Sequence, residues 1–305
     1  MTNNSTSYKR SRCGECLSSL QGMLKRERIS YNASAACIPT SQEYLVVRQS
    51  LIEVFNQVFS ICNLQSRETI AVAVSYLDRF VASQQHRQMN VELAAMTCFY
   101  LAVKLHEPTV IAPSLVSKLF HKVLADSSLV SVKSIEAMEL QVLSALKWNM
   151  NPPTSIMFAR QLLCCLPDGP LTSWKIQATQ VAQTYLEASV NSNKIMAHSA
   201  STQAVAALFI AVEQLEATQR IPVCKFLLQA VHMTGAQEQR QVLMAQAMIR
   251  SLVVSIPSAE RSCAAAFTSI SKRLTTADLD EVRSAKKQRV AIVEDSPESP
   301  RSVLA

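Results

Sequence analysis

Nine cysteines and five histidines are the residues of this 305-residue chain best suited to metal or nucleophilic chemistry. Their spacing supports neither. A structural zinc site needs four ligands, whereas Cys13 and Cys16 form a single CxxC and the next cysteine, Cys37, has no partner at ligand spacing. Cys164 and Cys165 are adjacent in an apolar run and read as core filling. The histidines, at 86, 106, 121, 198 and 232, make no HExxH or other paired spacing, and no GxSxG occurs. The four glycines, at 14, 22, 169 and 235, are too dispersed for a loop that lets backbone approach a phosphate. The expectation is a chain with no catalytic constellation, no metal and no cofactor. An odd cysteine count without a secretory signal points to reduced thiols inside the cell.

The elements that must position any functional side chain read as helices. From Gln42 to Asn63 the apolar positions Leu45, Leu51, Val54, Phe55, Val58 and Ile61 keep to helical spacing. Arg67 to Val81 carries a broader stripe, introduced by Ser66 with Glu68 and Thr69 as a capped, acidic start. Between Glu92 and Lys104, the run from Leu93 to Val103 has Thr97 as its one uncharged polar break, so it is apolar on every side. At about 15 residues it is shorter than the roughly 20 that span a bilayer, which makes it a central helix enclosed by others rather than a membrane segment. Asn90 caps it, and Pro108 and Pro113 close it off. Helices over Ser114 to Leu124 and Ser131 to Lys147 complete a five-helix bundle.

The second half repeats the first. VAVSYLDRFVAS from Val72 reappears as VAQTYLEASVNS from Val181, and the same offset of 109 positions carries FYLAV at Phe99 onto LFIAV at Leu208. The reading is therefore all-α, with two tandem five-helix bundles joined through Asn151, Pro152 and Pro153, where a residue before proline resists helical geometry. The expected segments are a disordered basic stretch over 1–40, a first bundle over 41–151, a second over 152–257 and a disordered tail over 258–305. Residues 1–40 hold six Lys/Arg against two acids and the tail eight against seven, leaving about +2 of the net +7 on the folded part. That balance argues against a nucleic-acid-binding domain. Two charges distinguish the repeats: Lys104 ends the first central helix where Glu213 ends the second, and Glu139 aligns with Met248 or Ile249.

SYLDRF at Ser75, LAVKLHE at Leu101 and MELQVLSALKWNMNPPT at Met138 to Thr154 resemble the cyclins, the last stretch most like D-type members; the likeness covers roughly residues 41–151. The resemblance implies a non-enzymatic regulatory subunit that forms a heterodimer with a cyclin-dependent protein kinase, with substrates or inhibitors of that kinase as further partners. It implies that Lys104 and Glu139, with Glu107 beside them, bind the kinase's mobile regulatory helix, an ammonium and a carboxylate at an apolar edge fixing the register of a docked helix. It also implies a buried structural ion pair between Arg48 and Asp78 and a close helix crossing at Ala102.

The family's substrate-docking groove is degenerate: Val47, Ser50, Leu51 and Val54 occupy its apolar positions, Gln57 stands where an acid is usual and Glu92 where a Gln is usual. No LxCxE motif occurs, nor an RxxL in residues 1–40. The rival class is a transcription-initiation factor of the TFIIB type, whose tandem folds bind DNA and whose zinc ribbon would need a second cysteine pair. A helical scaffold without kinase contact is the third. In the tail, Lys272 and Arg273 with Lys286, Lys287 and Arg289 match a two-part nuclear-import signal, so nuclear residence is expected, with some protein in the cytoplasm. Ser296 and Ser299 each precede proline and are candidate phosphorylation sites.

Overall fold

The structure, a computed structural model, describes residues 3–31, 41–84, 89–124, 130–167, 171–233 and 235–253, with the side chains of all but 3–13 and 253. The elements are α1 (Asn3–Ser30), α2 (Gln42–Ile61), α3 (Glu68–Ser83), α4 (Val91–His106), α5 (Pro113–Leu124), α6 (Val132–Ala145), α7 (Ser155–Cys165), α8 (Thr172–Ser189), α9 (Asn193–Met196), α10 (Ala200–Val212), α11 (Ala217–Ala230) and α12 (Ala236–Val253). No strand occurs among the described residues, and no described helix is long and apolar enough to cross a membrane.

Each half has its own core. In the first, α4 packs against α2, α3, α5 and α6, and Ala94 to Val103 are all buried. Phe55, Phe99 and Phe120 meet there, with ring centroids 5.3 to 6.1 Å apart. In the second, α10 packs against α7, α8, α11 and α12, and small residues, Ala204, Ala206, Ala207 and Ala211, let its neighbours approach. The capping expected at Asn90 is present, its side chain accepting from Leu93 N at 2.9 Å. Ser131, Thr154 and Ser199 cap α6, α7 and α10 in the same way.

Residues 1–40 were expected to lack a fixed fold, but Asn3–Ser30 form α1. The signal is narrow. Leu20, Met23, Leu24 and Glu27 fall at i, i+3, i+4 and i+7, and their burial against the second core and α7 anchors a helix whose remaining described positions are mostly exposed. Polar composition averaged over forty residues hides such a stripe. Residues 1–2 and 32–40 lie outside the described residues, as does the whole of the 258–305 tail with Lys272, Arg273, Lys286, Lys287, Arg289, Ser296 and Ser299.

Among the described residues, three helices end in left-handed residues that are not glycine. After α2, α6 and α11 stand Asn63, Lys147 and His232, with φ of 47, 52 and 58°. Each makes the paired bonds of a Schellman turn, as in Met233 N to Leu228 O at 2.8 Å with His232 N to Gln229 O at 3.0 Å. A side chain in this conformation costs on the order of 1 kcal/mol where glycine is tolerated freely.

Candidate functional site

The enclosed helix α4 delivers Lys104 to the surface, and α6, packed across it, delivers Glu139. Their side chains pair: Lys104 Nζ donates to Glu139 Oε1 at 2.7 Å. The Lys104 ammonium also stands 5.5 Å from the centre of the Tyr100 ring. The hydrogen bond to Glu139 raises the Lys104 pKa above the ordinary lysine value, so the ammonium keeps its charge through the neutral range. Leu105 and Leu140 adjoin it in the chain and are exposed by 50 and 63%, and Val110, in the connection after α4, by 60%. Large aliphatic groups left this open beside a satisfied ion pair are the composition of a docking surface.

The second repeat holds an ion pair that the alignment did not show. Glu213, at the end of α10, pairs with Arg250 on α12 and accepts from Gln246 Nε2 at 3.2 Å. The alignment put Met248 or Ile249 opposite Glu139, and the cation lies two residues beyond Met248, which is why a fixed offset missed it. Arg220 adds further tethers, donating to the carbonyls of Glu213 and Leu215.

Glu107 does not stand at the surface with Lys104. It is buried, and its carboxylate accepts from Gln65 N and Ser66 N at 3.0 Å each and from Thr69 Oγ1 at 2.7 Å. It thus supplies negative charge and acceptors at the start of α3, the role expected of Ser66. A kinase-contact role is replaced by an internal one.

Arg48 and Asp78 meet as a buried fork: Nε to Oδ1 is 2.8 Å and Nη2 to Oδ2 is 3.0 Å, with the Arg48 side chain wholly enclosed. Tyr44 Oη donates to the same Oδ1 at 2.8 Å. Arg48 Nη1 continues to Val190 O at 3.3 Å and Asn193 Oδ1 at 2.9 Å, so the pair joins the two repeats as well as two helices. Sequence reasoning missed this reach, because neither Val190 nor Asn193 carries a charge. Ala102 is fully buried in α4.

Of the groove positions, Leu51 and Val54 belong to the first core, while Val47 and Glu92 are exposed, so the four do not form one exposed apolar strip. Of the described cysteines, Cys165 is buried as expected and Cys164 is exposed. The described residues include no group of three or more His, Cys, Asp or Glu placed to hold a metal.

Comparison with known proteins agrees with this architecture. Residues 19–151 match the family described as the cyclin N-terminal domain, a span that opens just before the buried stripe of α1. Human G1/S-specific cyclin-D1 is 24% identical over 203 residues, covering 64% of each chain. The zebrafish (Danio rerio) protein of that name is 31% identical over 150 residues, covering 48% of this chain and 49% of its own. Cyclin-A1-1 of Arabidopsis thaliana is 26% identical over 156 residues, covering 50% of this chain and 32% of its own. The matches thus span less than two thirds of these relatives' lengths. A viral cyclin from Herpesvirus saimiri shares the fold, with a TM-score of 0.52 at 15% identity, covering 77% of this chain and 97% of the viral one. Residues 19–151 thus match a cyclin N-terminal domain, and the chain is similar in sequence to D-type cyclins.

Proposed function

We propose that this protein is a non-catalytic regulatory subunit that binds and activates a cyclin-dependent protein kinase in cell-cycle control, acting in the nucleus. The Lys104–Glu139 pair with the exposed Leu105 and Leu140 adjoining it in sequence carries the reading. The apolar groups supply area against one face of a kinase helix, and the pair meets polar groups at that helix's edge. Because the pair is closed in the free subunit, docking exchanges part of one hydrogen bond for bonds to the kinase. Register is then set by geometry rather than by a net gain of charge contacts. A kinase helix held in this way completes the lysine–glutamate ion pair and releases the activation loop, the order–disorder step that switches such kinases on.

The test is purification of a tagged copy from cells that make it. A protein kinase recovered in equal amounts, active only in the complex, is the expected result. Retention on DNA with no kinase would favour the transcription-factor reading instead. A reporter fused to residues 258–305 is expected to concentrate in the nucleus, and even spread through the cell would remove the localisation from the proposal.

A further inference from the structure

Away from the Lys104–Glu139 surface, α1 and the turn after α11 enclose an open recess of about 280 Å³. Its lining is Gln21, Leu24, Lys25, Arg28, Ile29 and His232. Leu24 is buried at its base and Ile29 is 71% exposed at its edge, so the interior offers apolar contact. The polar groups are one-signed. Lys25 and Arg28 lie one turn apart on α1, His232 faces them from another element, and among the described residues no carboxylate lines the space. The carboxylate of the neighbouring Glu27 is committed elsewhere, to Ser201 N at 2.9 Å and Ser201 Oγ at 2.6 Å.

The imidazole also occupies a costly place. His232 takes the left-handed position that ends α11, with φ of 58°, where glycine would fit without strain. The same turn ends α2 and α6 at Asn63 and Lys147; here it sets the imidazole at the wall of the recess.

We infer that this recess binds a phosphorylated serine or threonine in a peptide segment of a partner protein, together with one adjoining apolar side chain. Size and charge both select that occupant. The volume falls just below the roughly 300–1,000 Å³ of small-molecule sites, and the recess is open along one side, which suits a side chain presented by an extended chain. Two permanent cations match the charge of about −1.5 to −2 on a phosphate, whereas a lone carboxylate leaves one of them unpaired. Arg28 and Lys25 can share the phosphate oxygens, with His232 as a third donor. The apolar base takes the neighbouring residue. The inference goes beyond kinase activation and does not depend on it, since the recess uses none of the residues assigned to kinase docking.

The experiment is fluorescence anisotropy of the full chain with a labelled short peptide carrying phosphoserine next to leucine, beside the same peptide with serine and with aspartate at that position. Binding of the phosphopeptide is expected, about tenfold or more tighter than either control, and weakening with salt as exposed charges are screened. Lys25→Ala with Arg28→Ala should weaken it about tenfold or more, while Lys104→Ala with Glu139→Ala leaves it unchanged. His232→Gly is the sharper variant, because it removes the imidazole while relieving the strained turn. Binding should fall about threefold with the melting temperature unchanged or raised. Equal affinity for the three peptides, no binding to any, or undiminished binding by the Lys25→Ala, Arg28→Ala chain would each overturn the inference.

Discussion

The two repeats build the same exit from their central helices and use it differently. In the first, α4 ends in a cation that pairs with an anion on α6; in the second, α10 ends in an anion that pairs with a cation on α12. An ion pair across these two helices is therefore a feature of the fold, present with either polarity, and does not by itself mark a docking site. The collar differs. Leu105 and Leu140 adjoin the first pair in sequence and are exposed; Gln214, Gln246 and the backbone-tethered Arg220 stand next to the second, whose nearest exposed large aliphatic groups among the described residues of α12, Leu243 and Met244, lie about two turns from Arg250. On the proposed function, the apolar groups directly beside the first pair are what a partner helix would cover.

The repeats differ inside as well. Arg48 and Asp78 correspond by the offset to Met157 and Glu187, so the buried fork has no twin. Asp78→Ala leaves the enclosed Arg48 without its carboxylate and should destabilise the protein by about 3–5 kcal/mol, read as a lower denaturant midpoint. A loss under about 1 kcal/mol would mean that Val190 and Asn193 alone satisfy the guanidinium. Because Arg48 also bonds Asn193, the first repeat should not stay fully cooperative with the second in this variant.

Glu107→Gln comes next. It keeps the shape but removes the charge that three donors at the start of α3 share, for an expected loss of about 1–2 kcal/mol in the same measurement. Glu27 plays the matching part for α10, and burial raises its pKa above the ordinary glutamate range. The sign follows from that direction. A carboxyl whose folded pKa is raised favours folding most when protonated, and this contribution is lost as pH climbs from the ordinary glutamate value through the raised one. Glu27→Gln should abolish that part of the pH dependence, so its stability relative to the unmodified chain should rise with pH across that window. Parallel profiles would refute the assignment.

The smallest effect is the most diagnostic of the comparison. Lys104→Glu with Glu139→Lys gives the first repeat the polarity of the second, and since the Lys104 end of the pair is about half exposed, although Glu139 is mostly covered, the stability should change by no more than about 1 kcal/mol. A large loss would show that polarity is fixed by the first core rather than by a partner.

The sequence made the helices legible wherever burial was strong and periodic. The enclosed helix α4, the capping by Asn90 and the repeat of Val72 in Val181 all rest on local pattern. What it concealed was long-range. Glu107 caps a helix whose start lies some forty residues earlier in the chain, and Arg48 reaches Asn193 across 145 positions. Neither spacing carries a local signature. Arg250 escaped because helix ends shift by a residue or two between repeats while a fixed offset does not. The helix α1 escaped because four buried positions in a polar segment leave the average composition unaltered.

The kinase recovered with each of two double variants decides the account most directly. Lys104→Ala with Glu139→Ala removes the pair inside the apolar collar, and Glu213→Ala with Arg250→Ala removes the one outside it. With folding verified by helical content, the first should weaken kinase binding by about 2–5 kcal/mol, a loss of roughly 30-fold or more in recovered activity. The second should stay within about twofold of the unmodified chain. Full activation by the first variant, or equal losses in both, would contradict the assignment of docking to the first repeat.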